Sequence, residues 1–398
     1  MKRLLLIILI IFLGISVFLF SKTRPQNQDV NPSNYLSESA AKKTIPEKLF
    51  PRNPVDSQAS ETTKKILKHF YDLSLNQKSN KFIIGQNIGA ADKINLGSGD
   101  PVIGKKKFFD SLEVETGKSP AYVGVGYTSG WTIDLNKIKE TNKLLVDEWS
   151  KGGLVEISLT PQNPWTGKSL KDFGTGKFDY DSLFMSGSES NKRWNGYLDD
   201  FAKGLDELQK EGVTVLWRPL AEMNGHWFWW SYNKTGRASP DEYTKLWKYT
   251  FNYLTLKKGL HNLLWIYAPN SSAGNNKIKP ADYYYPGDDY VDIVALDYYS
   301  NNLAGLNSSG DYDAMVKTGK PMGLAEVGPA DGTRASFNNL TLLKVINEKY
   351  PNLIFAMYWN SWNTFFNILE TKNPIIKGTH AKEFMNSDMV LTRDKIKI

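Results

Sequence analysis

Two glutamates in this chain occupy positions from which they could cleave a single bond together. Glu222 lies in Trp217-Arg218-Pro219-Leu220-Ala221-Glu222-Met223-Asn224-Gly225-His226, and Glu326 follows Pro321-Met322-Gly323-Leu324-Ala325. Each comes shortly after a short apolar run. Two carboxyl groups on either side of a glycosidic bond can break it with retention when they stand about 5–5.5 Å apart. One, protonated, assists the leaving group, and the other attacks the anomeric carbon. A lone glutamate at the end of an apolar run is commonly solvated or paired with a nearby arginine. That bland reading suits Glu326 alone better than Glu222, which stands between Arg218 and a tryptophan-rich run. The pair favours chemistry.

The run itself is Trp227-Phe228-Trp229-Trp230. Four consecutive large aromatics cannot all point inward in a regular element, so some must face solvent or a ligand, and exposed aromatic patches usually bind something. Sugar rings stack on such faces. Packing of two of the four in the core is the competing expectation. His226 is no metal ligand on this reading, because the chain has four histidines and none is paired at ligand spacing. No metal and no cofactor are expected.

A fold must bring the two glutamates together. The strand candidates are Phe82–Gly85, Ala121–Val125, Leu154–Leu159, Val213–Trp217, Leu263–Tyr267, Val291–Leu296, Met322–Ala325 and Leu353–Tyr358. Helical patterns lie between several of them, such as Trp194, Tyr197, Leu198, Phe201, Leu205 and Leu208. Near-continuous apolar strands alternating with amphipathic helices predict a parallel sheet covered on its outer face. Eight such units predict an α/β fold, a (β/α)8 TIM barrel, whose active site gathers at the carboxyl ends of the strands. The fourth and seventh strands then face each other across the mouth. An open doubly wound sheet is the alternative, but Gly85-Gln86-Asn87-Ile88-Gly89-Ala90 has the wrong spacing for a dinucleotide loop.

Composition agrees with a globular enzyme. The chain has 398 residues, 41% hydrophobic and 23% charged, enough for a sizeable core. Its twelve Trp and twenty Tyr exceed what packing alone usually requires. The net charge of +7 is spread along the chain without a dense basic block, so no nucleic acid is expected as a partner. Cysteine is absent, which excludes disulfides, thiolate metal sites and a cysteine nucleophile.

At the N-terminus, Lys2 and Arg3 precede an apolar run from Leu4 to Phe20. Such a helix would be about 25 Å long, the short end of a membrane span. Phe18-Leu19-Phe20-Ser21-Lys22 lacks the small residues of a cleavage site, so residues 1–24 read as a signal anchor in preference to a cleaved signal peptide. Residues 25–55 are polar and proline-bearing and read as a flexible linker. The barrel is expected over 56–398. The protein would then be a monomer on the extracellular face of the membrane, or secreted if the segment is removed.

The two glutamate motifs resemble glycoside hydrolase family 26, whose best-known members are β-mannanases. Gly117-Lys118-Ser119-Pro120-Ala121, Gly152-Gly153-Leu154-Val155, Asp241–Trp247, Leu260–Trp265 and Tyr285-Pro286-Gly287-Asp288 extend the resemblance from about residue 60 to the C-terminus. It implies a (β/α)8 barrel with Glu222 as acid/base and Glu326 as nucleophile. It further implies that Tyr299, or its neighbour Tyr298, hydrogen-bonds the nucleophile, and that Trp359 forms a platform under the sugar being cleaved. Arg218, Asn224, Trp227, Trp230 and Thr160 are the remaining expected substrate-binding residues. The sequence departs from the family pattern at Ala221, where His is usual, at Leu159-Thr160, where a Trp-His pair is usual, and at Gly126, where Asp is common. A site lacking those histidines is expected to select a different sugar.

The expected activity is that of a retaining endo-β-glycanase acting on a mannan-type, β-glucan or exopolysaccharide chain. Two alternatives share the sequence features. A polysaccharide-binding pseudoenzyme would need neither carboxyl, and a transglycosylase would share the covalent intermediate.

Overall fold

The computed structural model describes residues 41–44, 53–76, 79–92, 99–130, 132–231, 238–330, 336–361, 363–364 and 369–396. The expected anchor over residues 1–24 lies outside them. No helix among the described residues is long and apolar enough to cross a membrane.

Eight parallel strands close on themselves: β1 (Phe82–Ala90), β2 (Tyr122–Ser129), β3 (Leu154–Thr160), β4 (Val215–Pro219), β5 (Leu263–Tyr267), β6 (Ile293–Tyr299), β7 (Met322–Gly328) and β8 (Leu353–Tyr358). They pair in sequence order, and β8 pairs back onto β1, so this is a barrel and not an open sheet. A short strand, Val390–Leu391, adds beside the start of β1. Several strands run further toward their carboxyl ends than the apolar runs predict: β6 includes Asp297 and Tyr299, and β7 includes Glu326. Ladder hydrogen bonds join main chains, so a polar side chain at the mouth does not end a strand.

The helices bury the faces that periodicity predicts. Helix α1 (Glu61–Leu75) begins at Ser60, whose side chain accepts from the Thr63 N–H, and buries Ile66, Leu67, Phe70 and Tyr71. Helix α2 (Glu189–Lys210), capped by Ser188, buries Trp194, Leu198, Phe201, Leu205 and Leu208. Helix α3 (Pro240–Phe251) opens with a reciprocal capping box between Ser239 and Glu242. The β5–β6 connection is turns and a 3₁₀ segment, Asp288–Tyr290, so that unit departs from the strand–helix alternation. Trp217, Trp247 and Trp265 pack edge to face between barrel and helices, with Trp265 5.8 Å from Trp247. Much of the tryptophan is therefore core.

Inside the barrel, glycines make room for large neighbours. A Cβ on Gly85 would stand 2.4 Å from the Tyr122 ring, and one on Gly323 would stand 2.4 Å from the Phe355 ring. Residues 41–44, expected in the linker, hydrogen-bond to the barrel. Ala41 N–H donates to Asn347 O at 2.7 Å, Thr44 N–H donates to Asn352 Oδ1 at 3.0 Å, and Lys43 Nζ donates to Leu73 O. These partners precede β1 and β8, so the segment meets the barrel at the strands' amino ends, opposite the mouth.

Candidate active site

The mouth is built from strand ends on opposite sides of the barrel. After β4 the chain turns sharply: Leu220 and Glu222 both adopt left-handed backbone, with φ of 50° and 55°. Such conformations cost L-residues about 1–3 kcal/mol and persist where surrounding contacts hold them. Here Leu220 N–H donates to Leu159 O at 3.1 Å and Glu222 N–H to Ala268 O at 2.8 Å, tying the turn to the ends of β3 and β5. The strained turn aims the Glu222 carboxyl into the mouth.

Glu326 arrives there by a different device. Along β7, period-two alternation points Gly323 and Ala325 into the barrel, where Gly323 meets Phe355 and Ala325 joins the interior cluster. Glu326 would then face outward. Between β6 and β7, however, the register slips: Leu296 pairs with Leu324, but Asp297 pairs with Glu326. This bulge at Ala325 resets the phase and turns Glu326 inward beside Asp297.

One oxygen from each of Glu222, Asp297 and Glu326 lies within 4.8 Å of the others. That separation suits the retaining geometry of about 5–5.5 Å better than the roughly 6.5–9.5 Å of inverting enzymes. The two glutamates have unlike surroundings. Glu222 accepts from Trp227 Nε1 at 2.7 Å and from Asn270 Nδ2 at 2.8 Å. Glu326 accepts from Arg218 Nη2 at 2.9 Å and from the Tyr299 hydroxyl at 2.7 Å. Burial, reinforced by the charge of Glu326, pushes the Glu222 carboxyl up to about 7, while the Asn270 and Trp227 hydrogen bonds pull it down. Glu222 is thus placed to hold a proton in the range where an acid is needed, and Glu326 has a cation against it. Arg218 supplies positive charge to two of the three clustered carboxylates, at 3.2 Å from Asp297 and 2.9 Å from Glu326.

Both glutamates line a cavity of about 640 Å³, shared with Arg218, Thr160, Tyr299 and Trp359. The Arg218 guanidinium carbon lies 5.2 Å from the centroid of the Trp359 ring.

Residues 55–395 match the profile described as "Glycosyl hydrolase family 26". The chain belongs to glycosyl hydrolase family 26. Over 312 residues, 76% of this chain, it is 34% identical to "Mannan endo-1,4-beta-mannosidase A and B" of Caldalkalibacillus mannanilyticus and spans 57% of that protein's length. It is 33% identical to a mannan endo-1,4-beta-mannosidase of Bacillus subtilis over 79% of this chain and 84% of that one. The structure of a Bacillus subtilis mannanase superposes with a TM-score of 0.71 at 28% identity, covering 87% of this chain and 96% of the other. This is a mannanase-like member of the family.

Within this family 26 chain, several expected site residues take other places. Trp230 and Asn224, expected in the cleft, are fully buried. Trp230 Nε1 donates to Ala221 O at 2.9 Å, which makes it the floor of the turn that carries Glu222. Asn224 donates to Asn270 O at 2.7 Å and to Lys279 O at 2.8 Å, and its Oδ1 accepts from Asn270 N–H at 2.8 Å. It reaches Glu222 only through Asn270. Trp227 packs over Gly225, where a Cβ would lie 2.5 Å from the indole, and touches the acid through Nε1. Trp229 is also core, donating to Pro161 O at 3.0 Å, so the aromatic run sends Trp229 and Trp230 inward and Phe228 to the cavity wall. Tyr299 reaches Glu326, while Tyr298, its neighbour on the strand, faces the other side. Thr160 Oγ1 donates to Thr128 O, and with Gly126, Ser158 and Ala221 it leaves that wall small and hydroxylated.

Three participants were not anticipated. Asn270 stands three residues beyond the end of β5, and the rule that polar residues at strand ends build the site would have found it. Phe228 was hidden within the aromatic run. Glu156 is the charged residue of an otherwise uncharged strand, and it contacts Arg218 at 3.1 Å.

Proposed function

We propose that the chain is a retaining endo-β-glycanase that hydrolyses mannan-type β-1,4-linked polysaccharide by double displacement. The observation that carries this reading is the carboxylate pair, with oxygens within 4.8 Å and Glu222 raised to about 7 by burial. Glu222 protonates the glycosidic oxygen while Glu326 attacks the anomeric carbon and forms a glycosyl ester. Glu222 then takes a proton from the water that attacks the ester, and Glu326 leaves as carboxylate. Arg218 and Tyr299 hold Glu326 in position and stabilise its charge. The mannosidase relatives support mannan, whereas the small wall around Thr160 and Ala221 favours a broader choice of sugar. Localisation belongs to the same proposal: residues 1–24 tether the barrel outside the cell.

The test is hydrolysis of β-1,4-mannan, glucomannan, β-glucan and xylan, followed by mass spectrometry and by NMR of the first-formed anomer. Cleavage of mannan with the β-anomer appearing first is expected, and Glu326→Ala should abolish it. First appearance of the α-anomer would rule out retention. Binding of mannan without products from it would favour the pseudoenzyme, and transfer products without hydrolysis would favour the transglycosylase.

A further inference from the structure

Below the mouth lies a carboxylate that the double displacement does not use. Glu156 sits mid-way along β3, 1% exposed, with Ser158 and Thr160 above it on the same inward face. Its Oε1 accepts from Arg218 Nε at 3.1 Å. The same guanidinium gives Nη1 to Asp297 at 3.2 Å and Nη2 to Glu326 at 2.9 Å. Each nitrogen therefore meets a carboxylate from a different strand: β3, β6 and β7. A planar fork held at three corners has one orientation, which a point charge on a flexible stem would not have.

Glu156 is costly to keep. Its second oxygen, Oε2, is buried without a hydrogen-bond partner. An apolar side chain of similar volume would fill the barrel without that penalty, so packing does not account for the residue.

We propose that Glu156 is a positioning residue for the nucleophile, locking the Arg218 guanidinium so that Nη2 meets Glu326 and sharing its charge. The proposal rests on Glu326 being the nucleophile. Glu156 faces Tyr122 from β2, Arg218 from β4, Asp297 from β6 and Glu326 from β7. Burial pushes its carboxyl up to about 7, against the pull of Arg218. When ionised, it draws on the charge of Arg218 that Glu326 and Asp297 also need. When protonated, it leaves that charge to them.

Two substitutions separate the effects. Glu156→Gln keeps an oxygen for Arg218 Nε and removes the charge, whereas Glu156→Leu removes both. The readout independent of turnover is the guanidinium signal of Arg218 in protein labelled with ¹⁵N at arginine, assigned by its loss in Arg218→Lys. Separate Nη1 and Nη2 signals, the mark of a guanidinium held in one orientation, are expected in the wild type and in Glu156→Gln, and one averaged signal in Glu156→Leu. On β-1,4-mannan, Glu156→Gln should keep kcat within about threefold, and Glu156→Leu should lose about tenfold or more with KM little changed, as misplacement of a reacting group does. Separate Nη signals in Glu156→Leu overturn the proposal, as do equal kcat losses in both variants that track their melting temperatures. Should the wild type not cleave mannan while the Nη signals still merge in Glu156→Leu, the substrate reading fails and the positioning role stands. If Glu156→Leu does not fold, Glu156→Ala takes its place in both readouts.

Discussion

At the level of single residues, the acid is tuned by opposing contacts. Asn270 and Trp227 donate to the two oxygens of Glu222, and each bond favours the charged form that burial disfavours. Removing one should push the carboxyl higher still. Asn270→Ala is therefore expected to move the alkaline limb of the kcat/KM profile to higher pH, since Glu222 in its proposed role must be protonated to act and would stay so longer. A limb that moves to lower pH would show that the bond does not favour the carboxylate. On the other carboxyl, Tyr299→Phe deletes a 2.7 Å bond to Glu326. A hydrogen bond to a charged group contributes about 1.5–3 kcal/mol, so kcat/KM should fall roughly 10- to 100-fold with unchanged folding by circular dichroism. An unchanged kcat/KM would place the tyrosine outside the machinery.

Among the elements, β7 decides most. Its Gly323 admits the Phe355 ring into space that a Cβ would occupy at 2.4 Å. Gly323→Ala should lower stability by about 1–3 kcal/mol in denaturant unfolding, as overpacking does. Phe355→Leu, placed in the same chain, should recover part of that loss, because the two residues compete for one volume. Simple addition of the two penalties would deny the close approach. Two residues further along, the bulge at Ala325 gives Glu326 its inward direction. Stability and activity thus depend on neighbouring positions of one strand for unrelated reasons.

Over the whole molecule, the docking of residues 41–44 and the buried carboxyls each have measurable consequences. A chain beginning at residue 41 keeps the bonds from Ala41 and Thr44 to Asn347 and Asn352, and one beginning at residue 53 loses them. The shorter chain should melt lower by roughly 2 °C or more. Equal melting temperatures would make the docking energetically idle. Glu222 and Glu156 are both raised from 4.5 to about 7. Between those values the native state holds protons that the unfolded chain has released, so their contribution to stability falls as pH rises through that window. Denaturant midpoints at pH 5 and pH 8 should differ accordingly, and Glu156→Gln should flatten the slope. An unaltered slope would remove Glu156 from the account.

The apolar runs and their spacing were enough to predict eight strands, a closed barrel and the two glutamates at opposite strand ends, because strand burial and helical periodicity are local properties of the chain. Asn270 was equally readable, standing just beyond β5, although its role was not anticipated. The other decisions are not local. Whether Glu326 faces inward depends on how β7 registers against β6, and a slip in main-chain pairing leaves no periodic trace in the side chains. Whether Trp230 lines the cleft or supports the turn depends on which carbonyl its indole finds, and that carbonyl belongs to a backbone held by β3 and β5. Arg218 meets Glu156, Asp297 and Glu326 across separations of 62, 79 and 108 residues. Residue types supply the chemical capacity for retaining hydrolysis, but only closure of the barrel brings those charges within reach of one guanidinium.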